Sequence, residues 1–231
     1  GNNAFIVLDD ADIDQAVKAA AFGRYFHQGQ ICISTNRMIV DRKVYPEFVD
    51  KFKKLTAKIK VGNPDDEDTI IGPMITVKQI ERASKVLDGC EKEGAKIEVR
   101  GKVNGNMMEP SIVTGVTNDM TIAKTELFSP IAIIMPVDSE EEAIRVANDS
   151  DVGLSGAVFS GSLERGIRVA KQVETGMIHV NDQTVNVDSG APFGGEKGSG
   201  FGRYCGAKWT IGDFTTVKWV SVQRVPRQFP F

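Results

Sequence analysis

The sequence predicts an α/β fold built on a largely parallel, twisted sheet with helices on both faces. Short apolar runs that are typical of strands alternate with segments whose apolar residues recur at helical spacing, over most of the 231 residues. Parallel neighbours need long crossover connections, and the helical segments supply them. Seven glycines between Gly190 and Gly206 interrupt this pattern and set off a short C-terminal tail.

The first elements follow this alternation closely. Residues 5–8 form an apolar run that predicts a buried strand, and Asp10 or Asp12 can cap the helix that follows. A second strand is predicted over residues 38–40. It leads into an amphipathic helix over residues 44–59, whose aliphatic and aromatic residues share one stripe.

The middle of the chain adds helices with recognisable starts. Thr76 and Gln79 have the spacing of a capping box, which predicts a helix running to about Glu93. Ser139 and Glu142 repeat that spacing and predict a helix through about Ala147. The remaining strands are predicted over residues 97–99, 111–116, 131–136, 157–159 and 177–180.

The last third is expected to contain a helix over residues 163–173 and a short helix over residues 207–214. Residues 216–222 combine β-branched and aromatic side chains, which predicts a strand at an edge that awaits a partner. We therefore divide the chain into a domain over residues 1–205 and a tail over residues 206–231.

Composition excludes several classes of function. The 28 basic and 31 acidic residues give a net charge of −3, unlike a nucleic-acid-binding protein. No apolar run reaches the ~18 residues that span a membrane. Three cysteines suit a reducing compartment better than a disulfide framework, so a cytoplasmic location is expected. Two histidines and no paired cysteine motif argue against a metal site.

Cys32 is the first candidate for chemistry. It follows Gly29 on a predicted connection between a helix and a strand, and it is flanked by Ile31 and Ile33. A thiol in such a place can be reachable and partly shielded from water, as a nucleophile requires. Free cysteine is also a common buried apolar residue, so Cys32 alone leaves both interpretations open.

Several further motifs, taken together and in order, resemble the aldehyde dehydrogenase superfamily. The opening Gly1-Asn2-Asn3 is similar to the end of that family's E-L-G-G-N motif. The other matching stretches are Gly29-Gln30-Ile31-Cys32, Glu126-Leu127-Phe128-Ser129-Pro130 with serine in place of the usual glycine, Asn148 with Gly153-Leu154-Ser155, Gly176 with Val180-Asn181, and Pro192-Phe193-Gly194-Gly195 with the glycines after it. Residues 179–186 look most similar to benzaldehyde, salicylaldehyde and vanillin dehydrogenases.

The resemblance implies a reaction and a cofactor. Cys32 would attack an aldehyde, a hydride would pass to NAD or NADP, and the resulting thioester would be hydrolysed. Glu126 would bind the ribose hydroxyls, although a glutamate taken alone is more often a solvated loop acid. Phe128 would lie near the nicotinamide, although an aromatic here also suits a core. Gln79 and Arg82 match the family's adenosine-side contacts. However, a capping box also explains Gln79, and an exposed helix face also explains Arg82.

The resemblance also implies a substrate pocket and a partner. Ile31, Ile33, Asn181 and Phe193 would line an apolar tunnel, which suits an aromatic or aliphatic aldehyde without charge. The similarity of residues 179–186 to benzaldehyde, salicylaldehyde and vanillin dehydrogenases favours an aromatic one. The tail would pair with another protomer in a homodimer or homotetramer. The family's amino-terminal NAD-binding domain, with the glutamate that activates water, is expected to be absent from this chain, so the chain alone is expected to be inactive.

Two other classes of function remain as alternatives. A cysteine hydrolase would pair Cys32 with His27 or His179, but no motif supplies an orienting Asn or Asp. Such an enzyme would hydrolyse esters without a nucleotide. A non-catalytic structural or assembly role is the third interpretation.

Overall fold

The computed structural model describes residues 1–231, apart from the side chain of Ala207. The strands are β1 Asn3–Val7, β2 Thr35–Asp41, β3 Lys96–Val99, β4 Val103–Asn104, β5 Met107–Met108, β6 Ser111–Thr114, β7 Ile131–Val137, β8 Val152–Gly153, β9 Gly156–Phe159, β10 His179–Val180 and β11 Glu196–Lys197. The helices are α1 Ile13–Tyr25, α2 Tyr45–Thr56, α3 Val77–Cys90, α4 Thr121–Lys124, α5 Glu140–Asn148, α6 Leu163–Ala170 and α7 Ala207–Phe214.

Seven strands form one sheet in the order β10-β9-β1-β2-β7-β6-β3. Every pairing in it is parallel except that of β3 with β6. The predicted fold class, a largely parallel α/β sheet with flanking helices, is therefore confirmed. Two small two-stranded sheets, β8 with β11 and β4 with β5, lie outside it.

Side chains alternate between the two faces of the main sheet and so build two cores. Phe5 and Val7 face α1 and α2, where Tyr25, Phe48 and Phe52 are also buried. The intervening strand residues face α3, α5 and α6 on the other side. Because both faces are covered, β7 and β9 are apolar throughout and β1 is apolar after Asn3, as the runs in the sequence indicated, whereas β2 is apolar only over residues 38–40.

Element boundaries differ from the predictions where a helix or strand ends. The helix predicted over residues 163–173 ends at Ala170, and the helix predicted to reach Glu93 ends at Cys90. The Asp12 side chain, not that of Asp10, caps α1 by accepting from the Gln15 N–H at 3.1 Å. The β4–β5 hairpin was not predicted, because its strands are only two residues each.

The strand predicted over residues 216–222 is the main correction. These residues form no strand, and they pair with no strand in the part of the chain that the structure describes. Val217 and Trp219 are 102% and 91% exposed. The prediction rested on side chains that favour strands, but a strand also needs a hydrogen-bonded neighbour. Among the described residues, no helix is long and apolar enough to cross a membrane.

The strand register gathers several connecting segments at one edge of the sheet. Asn3 of β1 pairs with Thr35 of β2, and Ala4 pairs with Gly156 of β9. Since these strands are parallel, the segments that precede β1, β2, β7 and β9 meet at the amino-terminal edge. Ligands of open α/β sheets usually bind at the opposite, carboxyl edge. The Cys32 segment lies immediately before β2, and therefore belongs to the amino-terminal edge.

Candidate active site

The segment that carries Cys32, residues 26–34, is a tight backbone turn between α1 and β2; we call it the Cys32 loop. A 3-10 turn over Phe26–Gly29 follows α1, and His27, Gln28 and Gly29 have φ angles of 51°, 59° and 73°. Positive φ is unusual for the first two residues and favours glycine at the third. The turn reverses the chain, so that Cys32 is exposed at the sheet edge.

Asn3 holds the backbone of Cys32 in place. Its Nδ2 atom donates to the Cys32 carbonyl at 2.9 Å and to the Ser34 carbonyl at 2.7 Å. Its Oδ1 atom accepts from the Ser155 N–H at 2.9 Å. The contacts with Ser34 and Ser155 are buried, in a region of low dielectric where a hydrogen bond is stronger, and the contact with Cys32 is partly buried. One side chain thus connects the start of β1, the Cys32 loop and the start of β9.

The backbone N–H of Cys32 is free within the described part of the chain, where it makes no hydrogen bond to backbone or side chain. An unpaired N–H next to an exposed thiol is the kind of donor that stabilises an oxyanion formed at that thiol. Ile31 is half-buried, and Ile33 is 3% exposed. Ile33 therefore packs beneath the loop, whereas Ile31 and Cys32 lie nearer its surface.

Glu126 and Phe128 lie on a second segment, residues 125–130, which we call the Glu126 loop. The Glu126 side chain is 41% exposed. Phe128 is half-buried and has a φ angle of 48°, which a non-glycine residue adopts only when its surroundings hold it. Ser129 and Pro130, which follow it, are buried.

Helix α3 supplies the groups that hold this loop. Gln79 Nε2 donates to the carbonyls of Leu127 and Phe128 at 2.9 and 3.0 Å. Arg82 Nη2 donates to the Glu126 carbonyl at 3.2 Å. The predicted capping box is thus half correct. Thr76 Oγ1 accepts from the Gln79 N–H, but the Gln79 side chain turns to the Glu126 loop instead of back to Thr76.

A buried polar layer connects the two loops below Cys32. Asn36 Oδ1 accepts from the Leu127 N–H at 3.3 Å and from Arg24 Nη1 at 3.1 Å. Its Nδ2 atom donates to Asn2 Oδ1 at 2.6 Å and to the Thr125 carbonyl at 2.9 Å. Burial lowers the pKa of Arg24 to about 10, because the charged guanidinium is removed from water.

Thr184 closes this layer from the C-terminal side. Its Oγ1 atom lies 2.9 Å from Thr35 Oγ1, and its carbonyl accepts from Ser155 Oγ at 2.8 Å. Thr184 is fully buried although the residues around it are largely exposed. The loop after β10 is therefore anchored beside the start of β2.

Asn181 and Phe193, both predicted to line the substrate pocket, lie in different surroundings. Asn181 exchanges two hydrogen bonds with the backbone of Ser160, at 2.9 and 3.0 Å, so its side chain orients the end of β10. Phe193 exchanges backbone hydrogen bonds with Tyr204 and lines a cavity of about 360 Å³. The cavity is walled by residues 176–179, 186–188 and 191–193, and Cys32 is not among its lining residues.

The two histidines do not form a hydrolase pair with Cys32. His27 is exposed in the 3-10 turn, and His179 opens β10. The His179 Nε2 atom is buried with no hydrogen-bond partner among the described residues, and burial lowers the pKa of the ring. A general base for Cys32 would need a hydrogen bond to the thiol. The structure therefore gives the cysteine-hydrolase alternative no support.

These features describe an α/β protein with an exposed thiol at the amino-terminal edge of its sheet, next to a loop that presents a carboxylate and an aromatic ring. The chain belongs to the aldehyde dehydrogenase family, whose sequence profile matches residues 1–220. The resemblance drawn from the motifs is thus confirmed.

Individual relatives are dehydrogenases of aromatic aldehydes. The chain is 49% identical over its full length to benzaldehyde dehydrogenase YfmT of Bacillus subtilis, covering 47% of that protein. Over 97% of its length it is 44% identical to vanillin dehydrogenase of Corynebacterium glutamicum, covering 46% of it. A crystal structure of Pseudomonas putida G7 salicylaldehyde dehydrogenase with salicylaldehyde superposes with a TM-score of 0.95 at 42% identity, over 100% of this chain and 48% of that one. The chain spans about half the length of the relatives it matches.

Proposed function

We propose that this chain supplies the thiol-bearing half of an NAD-dependent dehydrogenase that oxidises an aromatic aldehyde to a carboxylate. The observation that carries the proposal is the exposed Cys32 whose own carbonyl is held by Asn3 and whose N–H is unpaired among the described residues. The similarity to benzaldehyde, vanillin and salicylaldehyde dehydrogenases supports an aromatic substrate.

Cys32 would carry the covalent chemistry. Its thiolate attacks the carbonyl carbon of the aldehyde and forms a C–S bond, and the carbonyl electron pair moves to oxygen. The Cys32 N–H is available to stabilise the resulting oxyanion, and a donor of this kind contributes roughly 3 kcal/mol in related sites. Once the carbon has been oxidised, water attacks the thioester and releases the carboxylate and the thiol.

The residues present fit a nicotinamide nucleotide. The partly exposed Glu126 carboxylate suits ribose hydroxyls, and the half-buried Phe128 ring suits a flat aromatic group. Such a cofactor, when bound, accepts a hydride from the substrate carbon. Gln79 and Arg82 would support the cofactor site indirectly, because their side-chain N–H groups donate to carbonyls of the Glu126 loop. Solved relatives include complexes with NADP and with NAD⁺, and we propose NAD for this protein.

A kinetic comparison of the full-length protein tests the proposal. We expect benzaldehyde and hydroxylated benzaldehydes to have kcat/KM values about tenfold or more above an aldehyde that carries a carboxylate, because an apolar pocket desolvates that charge at a cost. Each aldehyde is assayed with NAD and with NADP. The 231-residue chain alone is expected to show no aldehyde oxidation and no ester hydrolysis.

Three results would contradict this proposal. A preference for the carboxylated aldehyde would require a cationic pocket instead of an apolar one. Ester hydrolysis by the 231-residue chain without nucleotide, lost when Cys32 is replaced, would favour the hydrolase alternative. Aldehyde oxidation by the 231-residue chain with NAD would show that the rest of the protein is not needed.

The tail is proposed to pair with a second copy of the protein in a homodimer or homotetramer. Residues 215–231 are exposed throughout, and Trp219 and Phe231 are 91% and 104% exposed. Apolar side chains at such exposure are typical of a surface that an assembly covers.

Deleting residues 217–231 from the full-length protein should lower its mass in solution, measured by light scattering. Deleting only residues 226–231, beyond the segment rich in β-branched side chains, is the control and should leave the mass nearly unchanged. An oligomer of the same mass after the longer deletion would contradict the assignment of the tail.

A cytoplasmic location is proposed from the cysteines. Cys32, Cys90 and Cys205 are free thiols in the structure. A site that depends on a free, exposed thiol is best preserved in a reducing compartment.

A further inference from the structure

Arg24 is a fully buried cation at the end of α1 whose function the reaction chemistry does not explain. It is 1% exposed, and both of its hydrogen-bond acceptors are neutral, namely the Gly29 carbonyl at 2.9 Å and Asn36 Oδ1 at 3.1 Å. Its Nε atom is buried with no partner among the described residues. An apolar side chain of similar length would fill the same space with less loss of solvation.

The two contacts of Arg24 lead to the two loops of the candidate site. Gly29 belongs to the Cys32 loop, three residues before the thiol. Asn36, the second acceptor, connects Arg24 to the Glu126 loop, because the same Oδ1 atom also accepts from the Leu127 N–H at 3.3 Å. The two loops also meet directly at Gly29, since a Cβ atom there would lie 2.3 Å from Arg24 Nη2 and 2.5 Å from the Ser129 carbonyl oxygen.

We propose that Arg24 is a positioning residue that holds the Cys32 loop and the Glu126 loop in one relative arrangement, so that the nucleophile and the cofactor-binding carboxylate are placed together. The planar guanidinium presents separate donors at fixed angles, and each one reaches a different segment. A lysine has one point of charge and can serve either acceptor well, but not both. The catalytic part of this inference rests on the proposed function, whereas the coupling of the loops does not.

Hydrogen exchange of the 231-residue chain, read by mass spectrometry, tests the coupling without any assay of activity. In Arg24→Gln we expect the amides of residues 26–34 and of residues 125–130 to exchange faster together, by about tenfold or more, because both lose one anchor. Arg24→Lys should give smaller increases in both segments. The matched control is Tyr25→Phe, which removes a buried hydrogen bond of the adjacent residue to Thr56 on the α2 side and leaves both loops unchanged.

The full-length protein supplies a second measurement. Arg24→Gln should lower kcat by about 100-fold, the size of effect that a small misplacement of reacting groups produces, and should raise the KM for the nucleotide. Arg24→Lys should recover part of both parameters. Wild-type protein that does not oxidise aldehydes would refute the proposed function, while the exchange result would still decide the coupling.

Three outcomes would overturn the inference. Exchange could rise in α1 or in one loop only, which would mean that Arg24 does not couple the two. Tyr25→Phe could produce the same increases in exchange, which would mean that the faster exchange in Arg24→Gln reflects general destabilisation of the protein. If circular dichroism shows that Arg24→Gln does not fold, the test rests on Arg24→Lys. Exchange rates in residues 125–130 of Arg24→Lys that equal those of the wild type would then refute the coupling.

Discussion

Replacing Cys32 with alanine should lower the kcat of the full-length protein for aldehyde oxidation by about four orders of magnitude or more, equivalent to about 5.5 kcal/mol of transition-state stabilisation. The reason is chemical, because no other group on the Cys32 loop can form and release a thioester. Cys32→Ser keeps the shape of the side chain and tests the same point, since a hydroxyl is a far weaker nucleophile without an adjacent base. Steady-state rates measure the loss, and mass spectrometry of acid-quenched enzyme detects the acyl group on Cys32.

The matched control is another thiol of the same chain. Cys205 is half-buried beside the glycine-rich stretch, and Cys205→Ser should leave kcat within about twofold of wild type, because surface changes away from a site have small effects. A Cys32→Ala variant that keeps a tenth of the activity, or an acyl group found on Cys205, would assign the covalent step to another residue.

The elements that could be predicted from the sequence are the strands with apolar runs and the helices with capping residues. The buried strands β1, β2 and β7 and the capped helices α3 and α5 lie close to where the runs and caps predicted them. The errors fall where structure depends on a partner. Residues 216–222 have the composition of a strand and no neighbour to pair with among the described residues, and β4 and β5 exist only because they pair with each other.

The candidate site was predictable only in part. Cys32, Glu126 and Phe128 are found from motifs, and their roles stay predictions. Asn3, Arg24 and Asn36 were missed as site residues, because what makes each important is a contact made across 12 to 91 residues of chain. A weak signal was present, since polar residues at the start of apolar strands must find partners when buried.

The position of the site also departs from what the fold class alone predicts. In open parallel sheets the carboxyl edge is the usual place for a ligand. Here the polar layer of Asn3, Asn36 and Thr184 is built at the amino edge, by residues at or near the starts of β1 and β2 and by the loop after β10. Register, which the sequence does not reveal, decides which segments meet there.

Gly29→Ala should be among the most damaging single substitutions of a small residue in this chain. Gly29 has a φ angle of 73°, which costs an alanine about 1 kcal/mol or more, and its new Cβ atom would overlap Arg24 Nη2 and the Ser129 carbonyl. Backbone on one side and a fully buried guanidinium on the other cannot both move away. We expect a loss of roughly 3 kcal/mol in the free energy of unfolding, measured in urea. The fraction that folds should have a displaced Cys32 loop, with kcat lower by about 100-fold in the full-length protein.

Gly105→Ala separates the effect of backbone conformation from the effect of crowding. Gly105 has a similar φ angle of 60°, but a Cβ atom there would meet nothing within 4 Å. Gly105→Ala should therefore lower the free energy of unfolding only by the conformational contribution, about 1 kcal/mol, and should leave kcat unchanged. Equal losses of stability in the two variants would mean that the contact between the loops at Gly29 is loose enough to yield. The difference between them measures how rigidly the Cys32 loop is seated against the Glu126 loop, and that rigidity is what the reaction of a thiol with a substrate beside a bound cofactor requires.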